Sequence, residues 1–346
     1  MDRQITFRSR SERISFQVKV KTLLVLAGLA LLLLACMALA VLLGSSLTSL
    51  PELIAAAFGQ GTAEANLIIG VLRLPRILLA VLAGAALAVS GAILQGVIRN
   101  PLASPDILGI TGGASVAAVA FITYLLGDVS IRWLPVAAFA GAALVSLVIY
   151  VLAWQRGVTP IRLVLIGIGI SAVTSALTTL MITLSPIKAA GQAYIWLTGS
   201  VYGASWENVY TLLPWLACFL PLALVFSRDA TVQGLGDDVA KGLGSPVQRH
   251  RLLLLLISVA LAGAAVAVVG SIGFVSLIAP HIARKLVGPS FASLLPAAAV
   301  VGSLMLLLAD TVGRTAFLPQ DVPAGVFTAA VGAPFFIFLL YRNRNR

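Results

Sequence analysis

Long runs without a single Asp, Glu, Lys or Arg dominate the chain, and the charged residues fall between them. Uncharged stretches cover 22–51, 77–98, 107–127, 133–155, 163–187, 208–227, 252–283, 286–309 and 322–341. A helix needs about 20 apolar residues to cross roughly 30 Å of hydrocarbon, so each run is long enough for a crossing. The run 252–283 is too long for one. Gly270, Gly273 and Pro280 interrupt it, dividing it into 252–271 and a short, broken helix over 273–287. The uncharged run 189–206 holds Gln192, Ser200, Ser205 and three glycines, and makes a poor span. The pattern predicts an all-α polytopic membrane protein with ten transmembrane helices.

Charge sets the orientation, because cytoplasmic loops collect Lys and Arg. With ten crossings and the N-terminus inside, 18 basic residues lie at inside ends. Only Arg73, Arg76, Arg132, Lys188 and Arg314 lie outside. Nine crossings would put the Arg342–Arg346 cluster outside, so ten is preferred, with both termini cytoplasmic. The chain then divides into a basic cytoplasmic tail over 1–21, a membrane domain over 22–341 with a cytoplasmic loop at 228–251, and a second basic tail over 342–346. The first apolar run exceeds the 7–15 residues of a signal-peptide core and is read as a retained span.

Composition agrees with lipid as the main solvent. Sixty per cent of the 346 residues are apolar and 10% charged, against about 25% charged in soluble domains; the mean hydropathy is +1.06. The net charge of +11 is spread as punctuation between apolar runs and makes no nucleic-acid patch. Cys36 and Cys218 both sit inside apolar runs, which excludes a disulfide framework.

An ungapped internal match appears at an offset of 179 residues. LAGAALAVSGAILQGVIRNP (82–101) aligns with LAGAAVAVVGSIGFVSLIAP (261–280) at ten of 20 positions, including Gly84/Gly263, Gly91/Gly270 and Pro101/Pro280. Shared Ala/Gly-rich packing is one explanation. Duplication is the other, and five crossings between the copies would make them an inverted repeat, a transporter architecture. In the loop 228–251, Asp237 can N-cap a short helix, Gly244 suits its C′ position, and Ser245-Pro246 reads as the start of a second short helix. Leu235, Val239, Leu243 and Val247 recur every fourth residue, which favours a buried face over a solvated connector.

Much chemistry is absent. No G-x-x-x-x-G-K-[ST] motif is present to cradle ATP phosphates. His250 and His281 stand without Cys, Asp or Glu at ligand spacing, so no metal site and no catalytic residues are expected. Asp106 and Asp310 sit at span edges, suited to end-capping, and Asp310 can pair with Arg314 one turn on. No carboxylate lies within a span interior, whereas ion-coupled carriers usually keep one there; energy is therefore expected from another subunit. The fifth span carries Ser171, Thr174, Ser175 and Thr178, with Thr179 and Thr183 beside them. These hydroxyls either let helices pack or line a path for a bulky polar solute.

At RLPRILLAVLAGAALAVSGAILQGVIRNPLASPDILGITGGA (73–114) the sequence resembles the FecCD family of permease subunits of ATP-binding-cassette importers for iron–siderophores, haem and cobalamin. The resemblance continues through 234–255, 273–288 and ADTVGRTAFLPQDVPAGVFTAAVGAPFFIFLL (309–340). It implies ten helices per subunit with inverted halves, a second permease subunit (a copy or a paralogue), two separate ATPase subunits that bind ATP and Mg, and an extracytoplasmic substrate-binding protein. By motif, the ATPase-coupling segment maps to Leu235, Asp237, Asp238, Ala240, Leu243, Gly244 and Val247. The binding-protein docking arginines map to Arg73, Arg76 and Arg314, and the translocation path to the fifth helix with Ser171, Thr174, Ser175 and Thr178. The expected function is import of a ferric siderophore across a bacterial cytoplasmic membrane. Haem or cobalamin import, an ion-coupled secondary carrier and a passive channel are the alternatives.

Overall fold

The structure, a computed structural model, describes residues 4–8, 15–44 and 61–343. The apolar runs are helical because a backbone in hydrocarbon must satisfy its own N–H and C=O groups. In chain order the helices are α1 (Val20–Leu42), α2 (Ala63–Ile98), α3 (Ile110–Leu125), α4 (Leu134–Leu152), α5 (Pro160–Leu184), α6 (Ile187–Thr198), α7 (Trp206–Val225), α8 (Ser227–Gly234), α9 (Asp237–Gly242), α10 (Val247–Val269), α11 (Val275–Val287), α12 (Phe291–Thr315) and α13 (Ala324–Asn343). Among the described residues seven of these, α1, α2, α4, α5, α7, α10 and α12, are long and apolar enough to cross a membrane. Helix α3 and the Ala324–Phe338 part of α13 are apolar but shorter, and α11 has 13 residues. Each of the ten expected spans falls on one helix, though three of them are short.

The break before α11 lies where the sequence placed it. Gly270 has φ +74°, and a Cβ there would lie 2.3 Å from the Trp196 carbonyl, so the chain turns against α6 at a position only glycine fits.

Ahead of the helical bundle, Gln4–Arg8 and Ser15–Lys19 pair as antiparallel strands, with Gln4 opposite Lys19 and Arg8 opposite Ser15. Helix α1 ends at Leu42, and the end of the uncharged run 22–51 falls within 45–60, outside the described residues. In the loop 228–251 the two short helices are α8 and α9, and Ser245-Pro246 opens the long α10 instead of a second short helix. Gly236, at φ +115°, occupies the N-cap position of α9 and leaves Asp237 inside the first turn. The other end of α9 is as expected: Gly244 at φ +78° closes a Schellman motif, with Gly244 N–H to Lys241 O at 2.9 Å and Ser245 N–H to Ala240 O at 3.0 Å.

Helix α2 is the axis of the packing and is buried along nearly its whole length from Ile77 to Ile98. Small residues let its neighbours approach: a Cβ on Gly84 would lie 2.3 Å from the Gly302 carbonyl of α12, and one on Gly91 within contact of the Ser276 carbonyl of α11. Ser90 and Ser258 join α2 to α10 through hydroxyls 2.7 Å apart. Helix α2 packs on α12, and α10 packs on α4. Helix α1 is peripheral, with only Thr22, Ala40 and Val41 buried.

The sequence placed the second span at 77–98, but α2 begins 14 residues earlier, at Ala63. A π-helical segment, Ile68–Arg73, precedes Pro75. A proline has no N–H to give and crowds the preceding turn, and a wider turn relieves both. Arg73 and Arg76 therefore lie inside a helix, not at its mouth.

Candidate functional site

Arg76 is the centre of a charge cluster where α1 and α12 finish, beside the segment that leads into α13. Its guanidinium is saturated on two edges. Nε donates to both carboxylate oxygens of Asp310 at 3.0 Å, and Nη2 donates to Asp310 Oδ1 at 2.7 Å. Nη1 and Nη2 donate to Asp321 at 2.6 and 2.8 Å. The Tyr202 ring lies 5.7 Å from the guanidinium carbon, in cation–π range. Arg314 stands 3.8 Å from Asp310 and donates to the Ala40 carbonyl; Arg73 donates to the Val41 carbonyl at 2.5 Å. One guanidinium thus ties α2 to α12 and to the segment before α13, and two more tie in the end of α1.

Arg73, Arg76 and Arg314 cluster and are buried, with Arg73 6% and Arg314 8% exposed and the Arg76 side chain 12%. Docking through them would require a carboxylate to replace an internal partner. Asp310 pairs with Arg314 one turn on, as the spacing predicts, at 3.8 Å, but its bidentate partner is Arg76, 234 positions away in the chain. Asp321, the second carboxylate on Arg76, lies in the polar LPQD turn and leaves no periodic signal in the sequence.

At the opposite end, α9 presents an apolar edge. Leu235, Val239 and Leu243 are 62%, 50% and 65% exposed, whereas Ala240 and Val247 are buried. The every-fourth-residue pattern is therefore split: Val247 belongs to the core with Ala240, and the other three have no cover within the described residues. Asp238 is fully exposed beside Lys241 at 3.9 Å. Asp237 fixes the helix, pairing with Arg251 at 2.7 Å and Arg99 at 3.3 Å, and so links α9 to the start of α10 and the end of α2. Arg251, 1% exposed, also donates to the Val158 carbonyl, and Gln248 holds the same residue by 3.0 and 3.2 Å bonds. Read only as an inside charge in the sequence, Arg251 is the anchor on which α9 rests. His250 is likewise not alone: Nδ1 lies 3.0 Å from Asp229.

The fifth-span hydroxyls divide. Thr174 and Thr178 are buried and turned toward α3, where a Cβ on Gly112 would meet the Thr174 hydroxyl, and their Oγ atoms bond back to Ser171 O and Thr174 O at 3.0 and 2.8 Å. Their hydroxyls are engaged in packing within this subunit. Ser171 is half-buried and donates to the Asp106 carbonyl at 3.2 Å. Ser175, with Thr179 and Thr183, faces outward. Among the described residues no group of three His, Cys, Asp or Glu could hold a metal ion.

A multi-helix bundle of apolar spans, with ion-paired charge at each end and a short-helix projection at one, is the architecture of a polytopic membrane protein. The chain belongs to the FecCD transport family, whose model matches residues 31–342. It is 49% identical over 336 residues, 97% of this chain and 96% of the other, to the "Achromobactin transport system permease protein CbrC" of Dickeya dadantii. It is 53% identical over 293 residues (83% and 85%) to the "Probable siderophore transport system permease protein YfhA" of Bacillus subtilis. Among solved structures, one described as "An inward-facing conformation of a putative metal-chelate type ABC transporter" superposes with a TM-score of 0.81 at 31% identity, over 92% of this chain and 99% of that one.

Proposed function

We propose that the chain is the membrane-spanning subunit of an ATP-driven importer of ferric siderophores in a bacterial cytoplasmic membrane. It crosses the membrane ten times with both termini inside, as an inverted repeat, and works beside a second permease subunit. Two ATPase subunits bearing ATP and Mg grip α8 and α9, and an extracytoplasmic binding protein delivers the chelate to the end that holds Arg76. The observation that carries this reading is the exposed edge Leu235, Val239 and Leu243, placed on a short helix that Asp237 clamps to the bundle. A connector in water has no reason to hold three large apolar side chains outward on a rigid mount, whereas a helix that transmits force to a soluble partner needs both features. The relatives named for siderophore transport give the substrate class. Outward-facing Ser175, Thr179 and Thr183 offer weak contacts suited to a polar chelate in transit.

The test is uptake into proteoliposomes. Iron-loaded siderophore is expected to enter only with ATP, the cognate ATPase and the binding protein all present. Uptake driven by an ion gradient without the ATPase would instead make the chain a secondary carrier.

Topology has its own measurement. In a Cys36/Cys218-free background, a cysteine at the exposed Gln320 is expected to react with an impermeant maleimide added to sealed cells, and one at the exposed Lys241 to remain unlabelled. Gln233 is unsuitable as the inside reporter, because it is 2% exposed. Labelling at Lys241 in sealed cells would overturn the orientation.

A further inference from the structure

We propose that Arg99 is a positioning residue for transport: its side chain carries the position of α9 to the end of α2, and so to the segment that abuts α5. This role rests on the reading of α9 as the ATPase grip, and names the residue through which that grip is felt. Arg99 caps the C-terminus of α2 at φ 56° and ψ 35°, in the left-handed region. Glycine fills such a cap without strain, whereas a residue with a Cβ is crowded there. The backbone alone therefore favours glycine, and the reason for an arginine lies in what its side chain touches.

That side chain reaches α9. Arg99 Nη2 lies 3.3 Å from Asp237 Oδ1, and Nη1 lies against Gly236, where a Cβ would stand 3.4 Å away. Among the described residues no other hydrogen bond or ion pair joins α9 to α2. Asp237 offers the same oxygen to Arg251, and the two arms differ. Arg251 is buried, 2.7 Å away and held again by the Val158 carbonyl, which makes it the fixed mount. Arg99 is 34% exposed and its pair is longer, a contact that stabilises little and can change length without breaking the fold. On its own side, Arg99 stands between two further ties. One turn back in α2, Gln95 donates to the Leu277 carbonyl at 3.1 Å and accepts from Arg284 at 3.2 Å, which joins the helix end to α11. Just ahead, the Asp106 carbonyl accepts from Ser171 of α5 at 3.2 Å, and the Leu108 carbonyl from Ser146 of α4 at 3.0 Å. A displacement of α9 that pulls on Arg99 is thus delivered to α2, α11 and α5, the helix that turns Ser175, Thr179 and Thr183 outward.

The experiment reconstitutes the whole importer with Arg99→Gln, Arg99→Gly or Arg99→Lys and compares chelate imported with ATP hydrolysed. Thermal unfolding and ATPase pull-down accompany each variant. Arg99→Gln and Arg99→Gly are expected to keep the wild-type Tm and ATPase association, the second because the backbone there suits glycine. Both should hydrolyse about two- to fivefold more ATP per chelate imported, the range that an exposed ion pair supports. Arg99→Lys should restore most of the coupling, since one donor reaches Asp237. In an Asp237→Asn background, Arg99→Gln should change the ratio no further, because both act through one contact. Wild-type stoichiometry in Arg99→Gln and Arg99→Gly would overturn the proposal. So would a fall in Tm in both, which would make Arg99 a structural contact, or a lysine variant as uncoupled as the glutamine one. Absence of ATP-driven uptake by the wild type would instead sink the importer reading. Amide hydrogen exchange of α9 in the isolated permease tests the contact apart from that reading: exchange is expected to quicken in Arg99→Gln, and unchanged exchange would show that Arg99 does not hold α9.

Discussion

Arg76→Met is expected to cost the permease about 3–5 kcal/mol of stability, enough to leave little folded protein after detergent extraction. The loss comes from what remains behind. Asp310 is 1% exposed and would keep a carboxylate in a dry site with Arg314 at 3.8 Å as its remaining cation. Asp321, 23% exposed, can turn to water and suffers less. The carboxylates are therefore unequal: Asp310→Asn in the Arg76→Met background should recover much of the loss, and Asp321→Asn should recover little. Size-exclusion profiles and thermal unfolding of the three variants test this, and additive losses for Arg76 and Asp310 would show the pair to be uncoupled. Under the proposed docking role, Asp321 also occupies the edge of Arg76 that a binding-protein carboxylate would take. Asp321→Asn alone should then raise binding-protein affinity at low salt, while Asp310→Asn should not.

What the sequence made legible follows from what each signal encodes. Span existence and the break at Gly270 were readable because hydrocarbon thickness and backbone satisfaction act on runs of residues, and a run is visible in one dimension. Arg73, Arg76 and Arg314 stood out because they violate the charge bias. Their partners did not. Asp310 had a local candidate in Arg314, and nothing in the chain announces that a residue 234 positions away reaches it first. The length of α2 is hidden for a related reason: Arg76 bounds the uncharged run 77–98, but arginines neutralised by carboxylates, or bonded to carbonyls, are compatible with helix well inside the bundle. Periodicity located α9 but could not tell cover by this chain from cover by another. Val247 and Leu243 look alike in the pattern, and only the fold separates a 3% exposed residue from a 65% exposed one. The fifth-span hydroxyls suit packing and path alike in the pattern, and the fold buries Thr174 while exposing Ser175, its neighbour in sequence.

Leu243→Asp is expected to separate the permease from its ATPase while leaving the permease itself intact. The side chain is 65% exposed at the end of α9, so a charge there meets water in the isolated subunit and should not change its Tm. In the assembled importer the same position would face an apolar surface. Losing a buried leucine removes about 1.5–3 kcal/mol, and an unpaired charge held at the contact costs several more. Together these should weaken association by more than about 100-fold, since each 1.4 kcal/mol is tenfold. ATP-driven uptake should fall by a similar factor, and pull-down of the ATPase should fail. Asp238→Asn is the matched control: that carboxylate is fully exposed, and its 3.9 Å pair with Lys241 is the kind of surface ion pair that contributes little. Asp237→Asn separates mount from contact, because it leaves all three exposed side chains in place and loosens the helix that carries them from Arg251 and Arg99. It should keep the ATPase bound more weakly and transport less per ATP hydrolysed. Wild-type association and transport by Leu243→Asp would show that α9 is not where the motor grips.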